Sequence, residues 1–174
     1  MDEIEPVEYD PEWPQRFELE AAHVRAVLPL GLILAIEHFG STAIPGMSAK
    51  PIIDILVTVA SVQEARATAV ERLESVGYAF WVDNPRRDRL FFVKGLPPFA
   101  PRRTHHIHIL EHGREAQRLL HFRDYLRANA HEADRYGALK FALAVRYASD
   151  REAYTAAKED YIAEIVARSS SVSA

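Results

Sequence analysis

Residues 38–57, HFGSTAIPGMSAKPIIDILV, constrain the fold more than any other stretch of this chain. A small-residue turn, Gly40-Ser41-Thr42, follows the apolar run 32–36 (LILAI). Pro45-Gly46 and Lys50-Pro51 punctuate the connection, and a second apolar run, Ile52 to Val59, carries one acid, Asp54, inside it. On a strand, Ile52, Asp54 and Leu56 share one face, and Ile53, Ile55 and Val57 share the other. Apolar residues on both faces mark a central strand covered on both sides. A carboxylate buried there is costly unless it has a partner. The stretch therefore demands a layered sheet in which something meets Asp54.

The rest of the pattern supplies the layers. Phe17, Ala21, Val24 and Leu28 recur at helical spacing and predict a helix over about 11–28, ended by Pro29 and Gly31. Strands are expected at 32–39 and 51–59. Ser61-Val-Gln-Glu64 is a capping-box pattern that opens a helix with Ala65, Ala69, Leu73 and Val76 inward, closed by Gly77. Strands at 78–82, 90–94 and 105–111 follow, with a proline-rich connection at 95–101. Their short or irregular links predict antiparallel pairing. Helices over about 114–129 and 131–147 come next, and Ser149-Asp-Arg-Glu152 is read as the cap of a third. Strands early and helices late predict an α+β chain with a mixed sheet of about five strands, an N-terminal helix and a C-terminal helical segment. One domain over 1–168 with a flexible Ser-rich tail at 169–174 is expected.

Composition narrows the function. The 174 residues include no cysteine, so thiolate metal sites, disulfides and cysteine nucleophiles are excluded, and any metal must be held by carboxylate or imidazole. A net charge of −4 disfavours general nucleic-acid binding. No apolar run has the length of a membrane span, and the acidic start MDEIEPVEYD is unlike a secretory signal, so no membrane association and a cytoplasmic location are expected.

Several residues could carry chemistry. Gly40, Ser41 and Thr42 fit a phosphate cradle, since glycine admits close backbone approach and the hydroxyls donate to oxygens. They also fit a plain turn in which Ser41 or Thr42 caps a short helix. Asp54 fits a metal ligand or base, or a structural acid paired with Arg or Lys or accepting backbone N–H bonds. His106 and His108 share a strand face, with His105 pointing the other way, and an H-x-H pair on a strand can bind metal or sit hydrogen-bonded at an edge. Glu37 and His38 lie on opposite faces of the first strand. Lys50, Arg86, Arg87, Arg89, Arg102 and Arg103 could form an anion-binding rim. Arg123, Asp124, Arg127 and Arg146 read as surface ion pairs, with Lys140 the candidate exception. Trp13 and Trp81 read as packing residues.

EHFGSTAIPGMSAKPIIDILV (37–57), THHIHIL (104–110), HFRDYLRAN (121–129), RYGALKFALA (135–144) and the opening YDPEWPQRFELE together resemble the GrpB-like (UPF0157) proteins over nearly the whole chain. The resemblance implies a nucleotidyltransferase-like (polymerase-β-like) fold. In that superfamily a Gly-Ser turn ends the first core strand, and a pair of acids one residue apart follows on the second, holding divalent metal against triphosphate oxygens. The pattern maps onto Gly40, Ser41 and Asp54, with phosphate or nucleotide contacts expected from Thr42, Lys50, Arg102 and Arg103. Metal ligands are expected from Asp54, His106, His108 and Glu37, with Mg²⁺ or Mn²⁺ as the ion. The second acid's position is Leu56. The implied function is nucleotidyl transfer from a nucleoside triphosphate. The alternatives are a non-catalytic domain that binds a nucleotide, a coenzyme or another phosphorylated small molecule, and a histidine-based metal hydrolase.

Overall fold

The protein's structure, a computed structural model, describes residues 6–97 and 100–172. Helix α1 (Trp13–Val27) is followed by β1 (Ile33–Phe39), a 3₁₀ turn at Ser41–Ala43, β2 (Ile53–Val59) and α2 (Val62–Glu74). Strands β3 (Tyr78–Phe80), β4 (Arg89–Lys94) and β5 (His105–Glu111) come next, then helices α3 (Arg114–Ala128), α4 (Ala130–Arg146) and α5 (Arg151–Val172). The sheet order is β1-β2-β5-β4-β3. β3, β4 and β5 pair antiparallel as expected, whereas β2 and β5 run parallel, so the sheet is mixed.

β2 lies between β1 and β5, the covered position its sequence demands. One face packs beneath α1 and α2: Trp13, Phe17, Ala21, Val24, Ala65, Ala69 and Leu73 meet Ile53, Ile55, Val57, Phe92 and Ile107. On the other face Phe39, Leu56 and Leu110 meet Ala116, Leu119 and Leu120 of α3. A third cluster joins Ile44 and Met47, from the connection after β1, to Leu126, Tyr136 and Tyr161 of the three C-terminal helices. Burial of this kind is worth about 25 cal/mol per Å² of apolar surface, which fixes the C-terminal helices over the end of the sheet where β1 turns into β2.

The cap of α2 forms as its sequence predicts, with Ser61 Oγ accepting from the Glu64 amide. The cap of α5 does not fall on Ser149. Asp150 takes that place, and its Oδ1 accepts from the Ala153 amide at 2.9 Å. A carboxylate accepts as readily as a hydroxyl at a helix start and adds a favourable charge there. α5 continues through residues 169–172, part of the stretch assigned to a tail. Residues 173 and 174, like Pro98 and Phe99 of the proline-rich connection, lie outside the described residues.

Candidate functional site

The parallel register sets Asp54 beside His106 and Leu56 beside His108. The three polar residues therefore share the sheet face that α3 covers, and they line one wall of a cleft of about 1350 Å³ between that face and α3, α4 and α5. His106 Nδ1 lies 3.1 Å from Asp54 Oδ1, and His108 Nε2 lies 3.9 Å from the same oxygen. Phe91 packs against both imidazoles, with ring centroids 5.1 and 4.6 Å away, and Phe39 meets His108 edge-on. Burial alone would push the Asp54 carboxyl up, but the hydrogen bond from His106, with the charge of Lys158 nearby, holds it below the usual carboxylate range. Burial pushes His108 down to about 3, so its ring is neutral at pH 7. His105 points to the opposite face, as expected, where the ion pair of Glu20 with Lys94 and the Tyr78 hydroxyl lies.

The Gly40-Ser41-Thr42 turn stands against Asp54. Gly40 has φ +73°, and a Cβ there would lie 2.5 Å from Asp54 Oδ2, so this glycine is set by close approach. Thr42 Oγ1 donates to the Ile52 carbonyl and so accepts from His38 Nε2 at 3.0 Å, which fixes the Nε2–H tautomer of His38. His38 stacks on Phe17 of α1, and burial, with smaller contributions from Arg127 and Arg123, lowers it to about 4 despite the charge of Asp54. Neither Ser41 nor Thr42 caps the 3₁₀ turn. Ser41 instead accepts from Lys140 Nζ at 2.9 Å, and the same ammonium donates to the Ser48 carbonyl at 2.9 Å. Lys140 is thus the exception among the helix cations.

Glu37 shares the face of Asp54 but is engaged elsewhere. Arg123 Nη1 donates to both Glu37 Oε2 and the His38 carbonyl at 2.8 Å, and Glu37 is not in the group formed by Asp54, His106 and His108. Arg123 was expected at the surface; it is buried, because α3 crosses the end of β1 and the guanidinium must satisfy that strand's last groups. Arg127 is exposed and pairs with Asp124 at 3.8 Å as expected, and it also lines the cleft and donates to the Ala43 carbonyl. Of the anticipated rim, Lys50, Arg86, Arg89 and Arg103 line the cleft, whereas Arg102 and Arg87 are exposed outside its lining. Arg86 and Arg118 both pair with Glu115 and Glu159, and Arg89 pairs with Asp88 and Glu115, so this end of the cleft is an ion-pair network as much as a cationic rim. Lys158, Arg118 and Arg127 carry no local sequence signal that would have placed them here.

The donor set fits a divalent metal. One ligand atom from each of Asp54, His106 and His108 lies within 4.8 Å of the others. His106 Nε2 and His108 Nδ1 are buried without a hydrogen-bond partner among the described residues, which is costly unless an ion or water satisfies the group. Two imidazoles and one carboxylate suit zinc, iron or manganese better than magnesium, which prefers oxygen ligands.

Protonation of buried groups fixes a pH dependence. Burial and the charge of Lys158 lower Lys140 to about 7. Between there and the ordinary lysine value, the unfolded chain holds a proton that the folded chain does not, so stability rises with pH from about 7 upward. His38 is also lowered, so stability falls as pH drops from about 6.5 towards 4. Urea-unfolding midpoints taken across pH 7 to 9.5 are expected to climb in the parent protein, and Lys140→Met is expected to flatten that climb.

The mixed sheet, with a Gly-Ser turn ending its first strand and an acid on its second, is an α+β arrangement of the nucleotidyltransferase-like class. The chain belongs to the GrpB family: the family model for GrpB protein matches residues 3–168. A UPF0157 protein of Pseudomonas aeruginosa is 48% identical over 167 residues, covering 96% of this chain and 68% of that protein. A dephospho-CoA kinase of Mycolicibacterium paratuberculosis is 30% identical over 181 residues, covering 91% of this chain and 44% of that protein. The crystal structure of the conserved protein GrpB from Enterococcus faecalis superposes with a TM-score of 0.80 at 35% identity, covering 95% of this chain and 96% of that one. No helix among the described residues is long and apolar enough to cross a membrane.

Proposed function

We propose that the cleft binds a nucleoside triphosphate together with a divalent d-block ion, Mn²⁺ in the first instance, and transfers the nucleotidyl group to a hydroxyl acceptor. The observation that carries this reading is the direct approach of the Gly40 turn to Asp54. A phosphate resting on that turn would lie beside any ion held by Asp54, His106 and His108. Such an ion supplies charge neutralisation at the transferring phosphorus. The chain's own residues do the rest. Ser41 and Thr42 lie at the turn, and Lys50 and Lys158 face the same space and favour a polyanion. The neutral imidazole of His108 is in the state a metal ligand requires.

Thermal melting tests the reading. ATP with Mn²⁺ is expected to raise the midpoint of the parent protein, by mass action worth about 2.7 kcal/mol at a hundredfold excess over Kd. Asp54→Ala is expected to lose that rise while remaining folded. No shift with any of the four nucleoside triphosphates, with or without Mn²⁺, overturns the proposal.

One observation favours a second reading, a binding domain without chemistry. Leu56 is fully buried where a second carboxylate would complete a metal-binding pair. That reading expects nucleotide or coenzyme binding with little metal dependence. Turnover that disappears in Asp54→Asn excludes it.

A further inference from the structure

The Ser41–Lys140 contact is more than an anchor for the turn. Ser41 is half-buried and faces the cleft that Asp54, His106 and His108 line. Its Oγ lies 2.9 Å from Lys140 Nζ, and Nζ is held by a third group, the Ser48 carbonyl, also at 2.9 Å. A nucleophile within hydrogen-bond reach of a base, with the base oriented by a third group, is the arrangement that activates serine hydroxyls. The lysine side chain is 8% exposed and makes no ion pair with a carboxylate among the described residues. The charged and titratable groups around it are Lys158 of α5 and the Tyr136 ring of α4, 5.2 Å from Nζ. Burial and the Lys158 charge favour the neutral amine, whose lone pair can face Ser41 while an N–H stays on Ser48.

We propose that Ser41 is a nucleophile activated by Lys140 and that it accepts the nucleotidyl group itself, an inference that rests on the nucleotide reading above and names its acceptor. Lys140 Nζ takes the Ser41 Oγ proton as Oγ forms a bond to the α-phosphorus of the nucleoside triphosphate. The bond from that phosphorus to the bridging oxygen breaks, and pyrophosphate leaves with the electron pair. Ser41 then carries a nucleoside monophosphate as a phosphodiester, and the proton stays on Lys140. The lysinium so formed sits next to the new phosphodiester anion, which stabilises the charge the step creates.

The experiment uses the full chain and two phosphorus electrophiles, read by intact mass and peptide mapping. An alkyl fluorophosphonate is expected to label Ser41, at a rate that rises through pH 7 to a plateau. Lys140→Arg keeps a cation but cannot act as a base, and labelling is expected to fall at least about a hundredfold in this variant, with its near-ultraviolet circular dichroism unchanged. Ser41→Ala is expected to remove labelling. ATP with Mn²⁺ is expected to add a nucleoside monophosphate to Ser41 in the parent protein alone. Unlabelled Ser41, or labelling equally fast in a folded Lys140→Arg, overturns the inference. Nucleotide binding seen by melting, with no adduct on Ser41, overturns it and leaves the proposed function standing. Absence of nucleotide binding overturns both.

Discussion

Leu56→Asp is expected to lower stability by about 3–5 kcal/mol, the range for an uncompensated buried charge, and to leave metal binding no tighter. The position looks like an invitation to complete a pair of acids with Asp54. The packing says otherwise. Leu56 has no exposed surface, and it is held between Phe39, Leu110, Ala116, Leu119 and Leu120. It pairs with Glu37 on β1 and His108 on β5, so a carboxylate there would add negative charge beside Glu37 inside an apolar cluster. The chain has used the position to seat α3 on the sheet, and the two histidines of β5 flank Asp54 instead. Urea unfolding followed by circular dichroism checks this. A Leu56→Asp protein as stable as the parent, with tighter Mn²⁺ binding, would show that the site is a two-acid site short of one ligand.

Gly40→Ala is expected to cost about 1–3 kcal/mol from backbone strain alone and to weaken metal binding roughly 10- to 100-fold by displacing its carboxylate. Gly40 sits at φ 73°, ψ −171°, a region open to glycine and closed to other residues. The added methyl would stand 2.5 Å from Asp54 Oδ2 and 3.1 Å from Asp54 Cβ and Cγ, all of one short side chain on a central strand. The carboxylate must therefore turn from its present place beside His106 into the cleft. Gly46 separates strain from proximity: it also has a positive φ, 77°, but a Cβ there meets nothing within 4 Å. Gly46→Ala is therefore expected to cost about 1–2 kcal/mol and to leave metal binding unchanged. Calorimetric Mn²⁺ titration of both variants distinguishes the two effects.

Much of the fold was legible because it is written locally. Apolar runs bounded by turn residues and 3.6-residue spacing mark the strands and helices to within a few residues, and the apolar run around Asp54 marks β2 as the covered strand. The site was half legible. Asp54 and the H-x-H pair stand out as residue types, but nothing local says that β2 and β5 run parallel in the register that sets Asp54 beside His106. Pairing over 52 residues is decided by how the whole sheet packs. Lys140 stood out, yet its contact with Ser41 spans 99 residues and depends on where α4 docks. Arg123 misled for the same reason: its polar helix looks like a solvated face, and only the crossing over β1 gives the guanidinium the Glu37 carboxylate and the buried His38 carbonyl as acceptors. Glu37 was drawn from the metal group by that contact, a partner that no spacing within β1 reveals.

The proposed chemistry requires Asp54, His106 and His108 to act together on one ion. Calorimetric titration of the metal-stripped protein with Mn²⁺, run beside Asp54→Ala, tests this most directly. The expected result is one ion per chain in the parent protein and no saturable binding in the variant, with both proteins folded. No saturable binding in the parent, or equal binding in Asp54→Ala, would contradict it.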